Sequence, residues 1–363
     1  MRVLVVNAGS SSLKLSVLDG DHRVAEQELR AEGSKFENDE VDRVVSEMGP
    51  VDAIGHRIVH GGARYLEPVR IDADVIRELT ALSALAPVHQ AKSLAALEAV
   101  GHILGDLPAV ACFDTAFHAT LPEAAYTYAL PQAWRERFGL RRYGFHGLAH
   151  ASAARRVSEL LERPLEGLRL VTCHLGAGAS LAAVQDGLSV DTTMGFTPLD
   201  GLVMATRSGS VDPGLVLWLL EEAGLSEPEL AQALEHESGL LALAGSADMR
   251  IILRAVEQGD TRATLALAVY NHHVRAGIAT MAAAMGGLDA LAFCGGVGEH
   301  AAAVRAGATS GLEFLGVGID PHCNAEQLGD RDVSASGSRV RTLVVAARED
   351  LEIARHVHHV LAS

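Results

Sequence analysis

The sequence has few aromatic residues and few cysteines. Aromatic side chains make up 4% of the 363 residues, whereas apolar residues make up 48%. This composition favours a soluble α/β protein whose helices pack through small side chains. The four cysteines include no C-x-x-C pair, and three of them, Cys112, Cys173 and Cys294, lie in apolar runs. We therefore expect buried thiols in a reducing compartment rather than a disulfide framework or a zinc site.

The sequence also lacks basic charge and long apolar runs. Its formal net charge of −16 argues against a nucleic-acid-binding protein, which needs a basic face. An anionic substrate is still possible, because arginines can gather in one cleft. No run of about 20 residues is apolar enough to span a bilayer, and residues 3–6 already have the pattern of a core strand, which argues against a signal peptide. The expected location is the cytoplasm, with no membrane partner.

A small-residue loop directly follows this first predicted strand. The stretch VVNAGSSSLK (5–14) contains one glycine, three consecutive serines and Lys14. Backbone N–H groups, hydroxyls and one cation in such a loop can surround a phosphate, although the spacing is not that of a Walker loop. Taken alone, the stretch fits an ordinary Ser/Gly turn equally well.

The second half of the chain repeats this loop. Residues 6–20 (VNAGSSSLKLSVLDG) align without a gap on residues 173–187 (CHLGAGASLAAVQDG), so that their Asp-Gly pairs coincide. Each copy follows an apolar strand and ends in an Asp-Gly hairpin turn. A third glycine loop, GGVGEH (295–300), also follows an apolar stretch. The pattern predicts two duplicated α/β domains that face each other across a nucleotide.

Taken together, the motifs resemble those of acetate kinases. NAGSSSLK, GHRIVHGG, FDTAFH, RRYGFHG, CHLGAGAS, MGFTPLDGLVMATRSG, DMR and GGVGE occur in the order and near the spacing of that family, over residues 3 to about 356. The resemblance implies two duplicated α/β domains of the actin/hexokinase/Hsp70-like (ribonuclease H-like) fold, with the active site in the cleft between them. The implied acyl-substrate and metal domain covers 1–116 and 351–363, and the nucleotide-binding and dimerisation domain covers 117–350.

The resemblance also implies a reaction. It is the reversible transfer of the ATP γ-phosphoryl group to acetate, giving acetyl phosphate and ADP. The implied enzyme is a homodimer that uses Mg²⁺, and Mn²⁺ can replace the Mg²⁺. The sequence separates acetate poorly from propionate or butyrate as the acceptor. Alternatives from other classes are a non-catalytic nucleotide-binding protein on this fold and a dinucleotide oxidoreductase built on GGVGEH. The oxidoreductase is the weaker alternative, since no acidic residue ends a second strand about 20 positions later.

Four residues are candidates for catalysis. A carboxylate that attacks a phosphoryl group is already ionised, so the site needs charge neutralisation more than a base. The family's two active-site arginines correspond to Arg57 and Arg207, whose planar guanidinium groups suit bidentate contacts with oxyanions. The family's phosphoryl-binding histidine corresponds to His146, and its essential aspartate to Asp114.

The resemblance assigns the remaining binding residues by position. The acid would contact Arg57 and a methyl pocket formed by Val59, Val88, Phe145 and Pro198. The metal would bind at Asn7 and Glu349. The nucleotide would contact Lys14, then His174, Leu175, Gly176, Ala177 and Gly178, then Asp248, Met249 and Arg250, and finally Gly296, Val297, Gly298, Glu299 and His300. Several positions depart from the family pattern, and among them Ala177, His300 and Arg348 each stand where asparagine is usual.

Overall fold

The chain divides into two compact units. The computed structural model describes residues 1–9, 12–30, 38–82, 87–327 and 329–362, and for residues 30, 38 and 87–89 it describes the backbone alone. The first unit comprises Met1–Ala119, Phe145–Ser152 and Arg348–Ser363, and the second comprises Thr120–Gly144 and Ala153–Ala347. Each unit is built on a six-stranded mixed sheet.

The first sheet has the order β3-β2-β1-β4-β6-β5. Strands β1, β4 and β6 are parallel neighbours, whereas β2 and β3 extend the sheet antiparallel from β1, and β5 lies antiparallel to β6. The strands are β1 (Arg2–Ala8), β2 (Ser12–Asp19), β3 (His22–Arg30), β4 (Ala53–Ile58), β5 (Val69–Arg70) and β6 (Ala109–Phe113).

Helices on both faces explain why β1 is a continuous apolar run. The helices of this unit are α1 (Asn38–Glu47), α2 (Ala73–Ala81), α3 (Pro87–Leu104) and α15 (Glu349–Ala362). Leu4 and Val6 belong to a buried cluster with residues of α1 and α3. Val3 and Val5 belong to another cluster with residues of α15. A strand covered on both faces has no polar side to alternate.

The second sheet repeats the topology of the first. Its order is β11-β12-β10-β7-β8-β9, and β7, β10 and β12 are the parallel neighbours. The strands are β7 (Arg169–Leu175), β8 (Ala179–Gln185), β9 (Leu188–Thr192), β10 (Ala290–Cys294), β11 (Arg331–Asp332) and β12 (Arg341–Val344). The predicted duplication is confirmed, and each Asp-Gly turn leads into a third strand that the sequence pattern did not show.

The gapless alignment of the two loops is wrong by one residue. The paired residues Ala8 and Leu13 enclose four residues (9–12), whereas the paired residues Leu175 and Ala179 enclose three (176–178). Strands β2 and β8 each carry a register irregularity against the strand that follows, between Val17/Leu18 and Ala183/Val184 respectively. The two irregularities fall at equivalent positions of the two copies, so the second and third strands of each unit pair in the same way.

Helices make up most of the rest of the second unit. They are α4 (Glu123–Tyr126), α5 (Gln132–Phe138), the end of α6 (Gly147–Leu161), α7 (Pro213–Glu221), α8 (Glu227–His236), α9 (Gly239–Ala244), α10 (Met249–Glu257), α11 (Thr261–Ala284), α12 (Gly295–His300), α13 (Ala302–Thr309) and α14 (Pro321–Ala325). One prediction needs correction here. GGVGEH (295–300) is the short helix α12 rather than a loop.

Burial of three cysteines is confirmed. Cys112, Cys173 and Cys294 are buried and Cys323 is partly buried, all as free thiols. Burial raises the pKa of Tyr270 and of the Cys173 thiol above their usual values. Among the helices in the described ranges, none combines the length and the apolar character that crossing a bilayer requires.

Candidate functional site

Four of the predicted site residues meet at one edge of the first sheet. Asn7 lies near the end of β1, Arg57 near the end of β4, and Asp114 directly after β6, so the carboxyl ends of three neighbouring parallel strands bring them together. Glu349 joins them from the first turn of α15. These four residues, which we call the Arg57 cluster, come from stretches of sequence up to 342 positions apart.

The Arg57 guanidinium is the centre of the Arg57 cluster. Its Nε donates to Asp114 Oδ1 at 3.0 Å and its Nη2 to Asp114 Oδ2 at 2.5 Å. Its Nη1 donates to Asn7 Oδ1 at 3.1 Å, and its Nε lies 3.8 Å from Glu349 Oε2. Asn7 Nδ2 in turn donates to Glu349 Oε2 at 2.8 Å. The contacts hold each polar group in a fixed direction.

The Arg57 cluster is both buried and charged. The side chains of Arg57 and Asp114 are 13% and 1% exposed. Burial by itself would lower the pKa of Arg57, but the charges of Asp114 and Glu349 outweigh it, and the pKa lies above the usual value. One cation therefore faces two carboxyl groups in a poorly solvated place, where electrostatic interactions are strong.

His146 lies on strained backbone beside the Arg57 cluster. Its φ is 57°, a conformation that non-glycine residues rarely adopt and that tends to occur at functional sites. The next residue, Gly147, donates its N–H to the carbonyl oxygen of Asp114 at 2.8 Å and begins α6. A Cβ at position 147 would collide with that same oxygen and lie 2.9 Å from Phe117 Cβ. We assigned no role to Gly147 from the sequence, although a glycine after a candidate histidine could have indicated close backbone contact.

The predicted acid pocket is only partly described. Phe145 is 1% exposed, its ring meets the His60 ring edge to face with centroids 5.4 Å apart, and its carbonyl oxygen lies 3.0 Å from His118 Nε2. Val59, directly after β4, is also buried. The side chain of Val88 is outside the described residues, as are Ser10 and Ser11 of the first loop. Lys14 is exposed and pairs with Asn7 across β1 and β2, so both side chains point to the same face of the sheet.

The second unit carries the predicted phosphate loop. Residues 174–178 comprise the last two residues of β7 and the turn to β8, where Gly176 N–H donates to Gly178 O at 2.9 Å. Ala177 is exposed, and its carbonyl oxygen accepts from Ala205 N–H at 3.1 Å. This bond ties the turn to the segment that carries Arg207. The structure therefore places an exposed small side chain at the position where we noted the departure from the family pattern.

Helix α12 adjoins this turn. Cys294, the residue before α12, pairs with His174 across β10 and β7, and its Sγ lies 3.7 Å from His174 Nδ1. Gly295 has a φ of 76°, and a Cβ there would lie 2.7 Å from Leu175 O. Only glycine therefore fits where these two segments of the chain pass close together. Glu299 Oε1 accepts from Ala347 N–H at 3.0 Å, so the Glu299 side chain stabilises the backbone after β12. His300 and Gly296 are exposed, Val297 is partly exposed, and Gly298 is buried.

The third predicted nucleotide segment, 248–250, begins α10. The Asp248 carboxylate accepts from Arg250 N–H at 2.8 Å and forms an ion pair with the Arg250 guanidinium at 2.5 Å. The bonds from Arg250 lower the pKa of Asp248 to about 2. Met249 is buried. These contacts are those of a helix N-cap, and they leave Asp248 ionised across the usual pH range.

Arg207 is fixed by its own loop. Its Nη1 donates to the carbonyl oxygen of Pro198 at 3.2 Å and approaches Met204 Sδ at 3.6 Å. Pro198 itself is buried. The structure thus brings together Arg207 and Pro198, two residues predicted for different roles.

Arg142, which lies in RRYGFHG, contacts the same loop, and we gave it no role from the sequence. The backbone polar groups of a long loop without periodicity need hydrogen-bond partners from elsewhere. In the sequence, this requirement was the indication that a side chain such as Arg142 supports the loop.

Comparison with known proteins supplies the family. A model of the acetokinase family matches residues 20–355. An acetate kinase from Gloeobacter violaceus is 44% identical, with 98% of each chain covered. The crystal structure of Porphyromonas gingivalis acetate kinase matches at 34% identity with a TM-score of 0.90 and 99% of each chain covered. A propionate kinase from Francisella tularensis matches at 33% identity with a TM-score of 0.91 and 98% coverage of each chain. The predicted fold class is confirmed by these matches.

Proposed function

The chain belongs to the acetokinase family, and we propose that it reversibly transfers the γ-phosphoryl group of ATP to acetate, giving acetyl phosphate and ADP. In the forward direction, an acetate oxygen forms a bond to the γ-phosphorus while the bond from that phosphorus to the β,γ-bridging oxygen breaks and ADP leaves. The observation that carries the proposal is the Arg57 cluster, a buried cation held by two carboxyl groups and an amide. Such a site suits a reaction in which acetate, a triphosphate and a metal must be held together.

Arg57 and Arg207 would neutralise the reacting oxyanions. Asp114 accepts two bonds from the Arg57 guanidinium and so fixes its plane, and we propose this orienting role for Asp114. Arg207 donates one bond from its Nη1 to the Pro198 carbonyl oxygen, which restrains the direction of its guanidinium. His146, with its left-handed backbone, would donate to the transferring phosphoryl group. Because the groups are held before the substrates bind, little reorganisation accompanies the reaction.

Asn7 and Glu349 fit a magnesium ion. In the ranges that the structure describes, no group of three or more His, Cys, Asp or Glu side chains is arranged as a metal site. Mg²⁺ does not require one, because it binds through one or two carboxylates and substrate phosphates and keeps several waters. The carboxylate and amide oxygens of the Arg57 cluster are the donors it prefers. Bound there, Mg²⁺, or Mn²⁺ in its place, would neutralise charge on the phosphates of the nucleotide.

We propose the division of labour predicted from the sequence. The domain comprising 1–116 and 351–363 would bind the acid and the metal, with Val59 and Val88 at the methyl group. Phe145 and Glu349 fall outside those bounds, but they belong to the same compact unit as Val59 and Asn7. The domain over 117–350 would bind ATP or ADP at residues 174–178, 248–250 and 296–300. The turn between β7 and β8 supports this role, since it consists of small residues and its central residue, Ala177, is exposed.

Propionate is the second candidate acceptor. The similarity to a propionate kinase structure is as strong as that to an acetate kinase structure, with TM-scores of 0.91 and 0.90. One methylene group discriminates between substrates by only about 1–3 kcal/mol in an apolar pocket.

We also propose a homodimer in the cytoplasm, where the free thiols of this chain would stay reduced.

Acyl hydroxamate formation from ATP, hydroxylamine and a carboxylic acid tests the activity. We expect product with acetate and with propionate, and Arg57→Ala and Arg207→Ala should each lower kcat by at least about 10³-fold. Arg169→Ala is the matched control, because it breaks a bidentate pair with Asp289 outside the predicted site. Circular dichroism must show that each variant is folded, since Asp114 loses its partner in Arg57→Ala. If either active-site variant keeps a tenth of the wild-type turnover, the assignment of that arginine is wrong.

A further inference from the structure

The segment between β9 and Arg207 has to be held in shape by groups outside it. Residues 193–200 (TMGFTPLD), which we call the Pro198 loop, form neither a helix nor a strand. The Pro198 loop nevertheless carries the carbonyl oxygen that accepts from Arg207 Nη1. Backbone polar groups without a regular ladder need partners from elsewhere.

Arg142 supplies such partners where β9 ends and the Pro198 loop begins. Its Nη1 lies within hydrogen-bond distance of three consecutive carbonyl oxygens, those of Thr192 at 3.2 Å, Thr193 at 3.0 Å and Met194 at 2.9 Å. Three carbonyls can point at one group only where the chain curls around it. The two N–H groups of Nη1 are shared among these oxygens, and the guanidinium to which they belong stays charged.

Arg142 also binds the end of the same loop. Its Nη1 lies 3.5 Å from Asp200 Oδ2. Asp200 Oδ1 accepts from Gly201 N–H at 2.9 Å and from the Ser210 hydroxyl at 2.5 Å. The two ends of the Pro198 loop are therefore joined through one guanidinium and one carboxylate.

Two tyrosines hold the middle of the Pro198 loop. The Tyr128 hydroxyl accepts from Phe196 N–H at 2.8 Å, and the Arg142 guanidinium lies over the Tyr128 ring, 5.8 Å from its centroid. The backbone N–H of Tyr143 donates to Gly195 O at 3.0 Å. A Cβ at position 195 would collide with the Tyr128 hydroxyl and with Asp200 Oδ2. Gly195 thus marks a place where the loop passes directly against its supports.

We infer that Arg142 is a positioning residue for Arg207. It holds the Pro198 loop in the one shape in which the Pro198 carbonyl fixes the Arg207 guanidinium, and Tyr128 and Asp200 complete that support. Arg142 itself touches no reacting atom in this assignment. The inference rests on the proposed function only in so far as Arg207 acts on the phosphoryl group.

Kinetics of Arg142→Gln, Arg142→Lys and the control Arg169→Gln test the inference. A misplaced catalytic group commonly costs up to about a hundredfold in rate, and we expect Arg142→Gln to lower kcat by about tenfold to a hundredfold. The KM for ATP should stay within about twofold of the wild-type value, because the predicted nucleotide residues lie outside the Pro198 loop. Arg142→Lys keeps the charge and should recover part of the loss. Arg169→Gln removes an Arg–Asp pair elsewhere in the unit and should leave kcat unchanged.

Amide hydrogen exchange supplies a readout that does not depend on turnover. Exchange in residues 193–200 should be faster in Arg142→Gln than in wild type, and unchanged in Arg169→Gln. Wild-type kcat in Arg142→Gln, or unchanged exchange in the Pro198 loop, overturns the positioning role. A kcat loss matched by an equal rise in the KM for ATP also overturns it. A wild-type protein without kinase activity contradicts the proposed function instead, and the exchange result then still decides whether Arg142 holds the loop.

Discussion

Close contact between Gly147 and Asp114 sets the geometry of the first unit's site at the scale of single residues. The Gly147 N–H donates to the Asp114 carbonyl at 2.8 Å, and His146 must then take a left-handed φ to connect Phe145 to α6. The strain at His146 is offset by the packing around it, because Phe145 is buried and His150 N–H donates to His146 O at 3.0 Å. A side chain at position 147 would remove the space that makes this arrangement possible.

Gly147→Ala should therefore damage both stability and activity. Its Cβ would collide with Asp114 O, and forced overpacking of this kind costs about 1–3 kcal/mol in the free energy of unfolding. Denaturant titration and hydroxamate kinetics measure the two effects. Gly101→Ala in α3 is the control, since a Cβ there meets nothing within 4 Å and a helical alanine should stabilise slightly. Equal stability of the two variants would show that the Asp114 turn can relax.

The residue types of the site could be predicted from the sequence, but their contacts could not. The resemblance to acetate kinases gave Arg57, Asp114, Asn7 and Glu349 as candidates. It contained no information that Asp114 binds the Arg57 guanidinium through both oxygens, because that geometry depends on strand order. Arg142 received no role for the same reason, since its partners are backbone carbonyls, which no side-chain motif encodes.

At the scale of elements, strand β4 and the turn after it carry two buried histidines. His56 on β4 is 2% exposed, and its Nδ1 finds no hydrogen-bond partner among the described residues. His60 is fully buried. Burial lowers the pKa of each to about 4. In the unfolded chain a histidine has a pKa near about 6.5, so the two states bind different numbers of protons between these values.

The free energy of unfolding should consequently fall as the pH is lowered from about 6.5 toward 4, and be independent of these two histidines above that window. The sign follows because the unfolded state takes up protons that the buried imidazoles refuse. Urea titrations across the window should show a shallower pH dependence in His56→Leu by about one proton. His236→Leu, at an exposed position of α8, is the control. A His56→Leu slope identical to that of wild type contradicts the assignment.

The sequence pattern was least specific in assigning short segments to a helix or a loop. The predicted glycine loop GGVGEH forms α12 because Gly295 reverses the chain at a φ of 76° and the following residues are then free to wind as a helix. Its end is bound by the buried Arg305, whose Nη1 donates to Gly298 O at 2.8 Å and to Glu299 O at 2.9 Å. That partner lies outside the motif, so glycine spacing alone could not separate a loop from a helix turn.

At the scale of the whole molecule, the duplicated sheets were predictable because both copies keep a strand, a small-residue loop and an Asp-Gly turn. Assembly was implied only by resemblance.

Helix α7, described over its full length, has the sequence PGLVLWLLE, and none of its side chains is buried. Leu215, Leu217 and Trp218 are 47%, 56% and 54% exposed. A helix that is apolar on all sides is normally a buried one, and a second copy of the chain would bury it.

We therefore predict that α7 lies in the interface of the proposed homodimer. A cluster of exposed leucine and tryptophan side chains is typical of the centre of such an interface, where truncating one anchor costs about 2 kcal/mol or more. Leu217→Glu combined with Trp218→Ala should convert the dimer to a monomer in sedimentation or light scattering at micromolar concentration. The control is Leu66→Glu, an isolated exposed leucine of the first unit, which should leave the mass unchanged. A double variant that sediments as a dimer at the wild-type concentration excludes α7 from the interface, and a monomeric wild-type protein excludes the dimer itself.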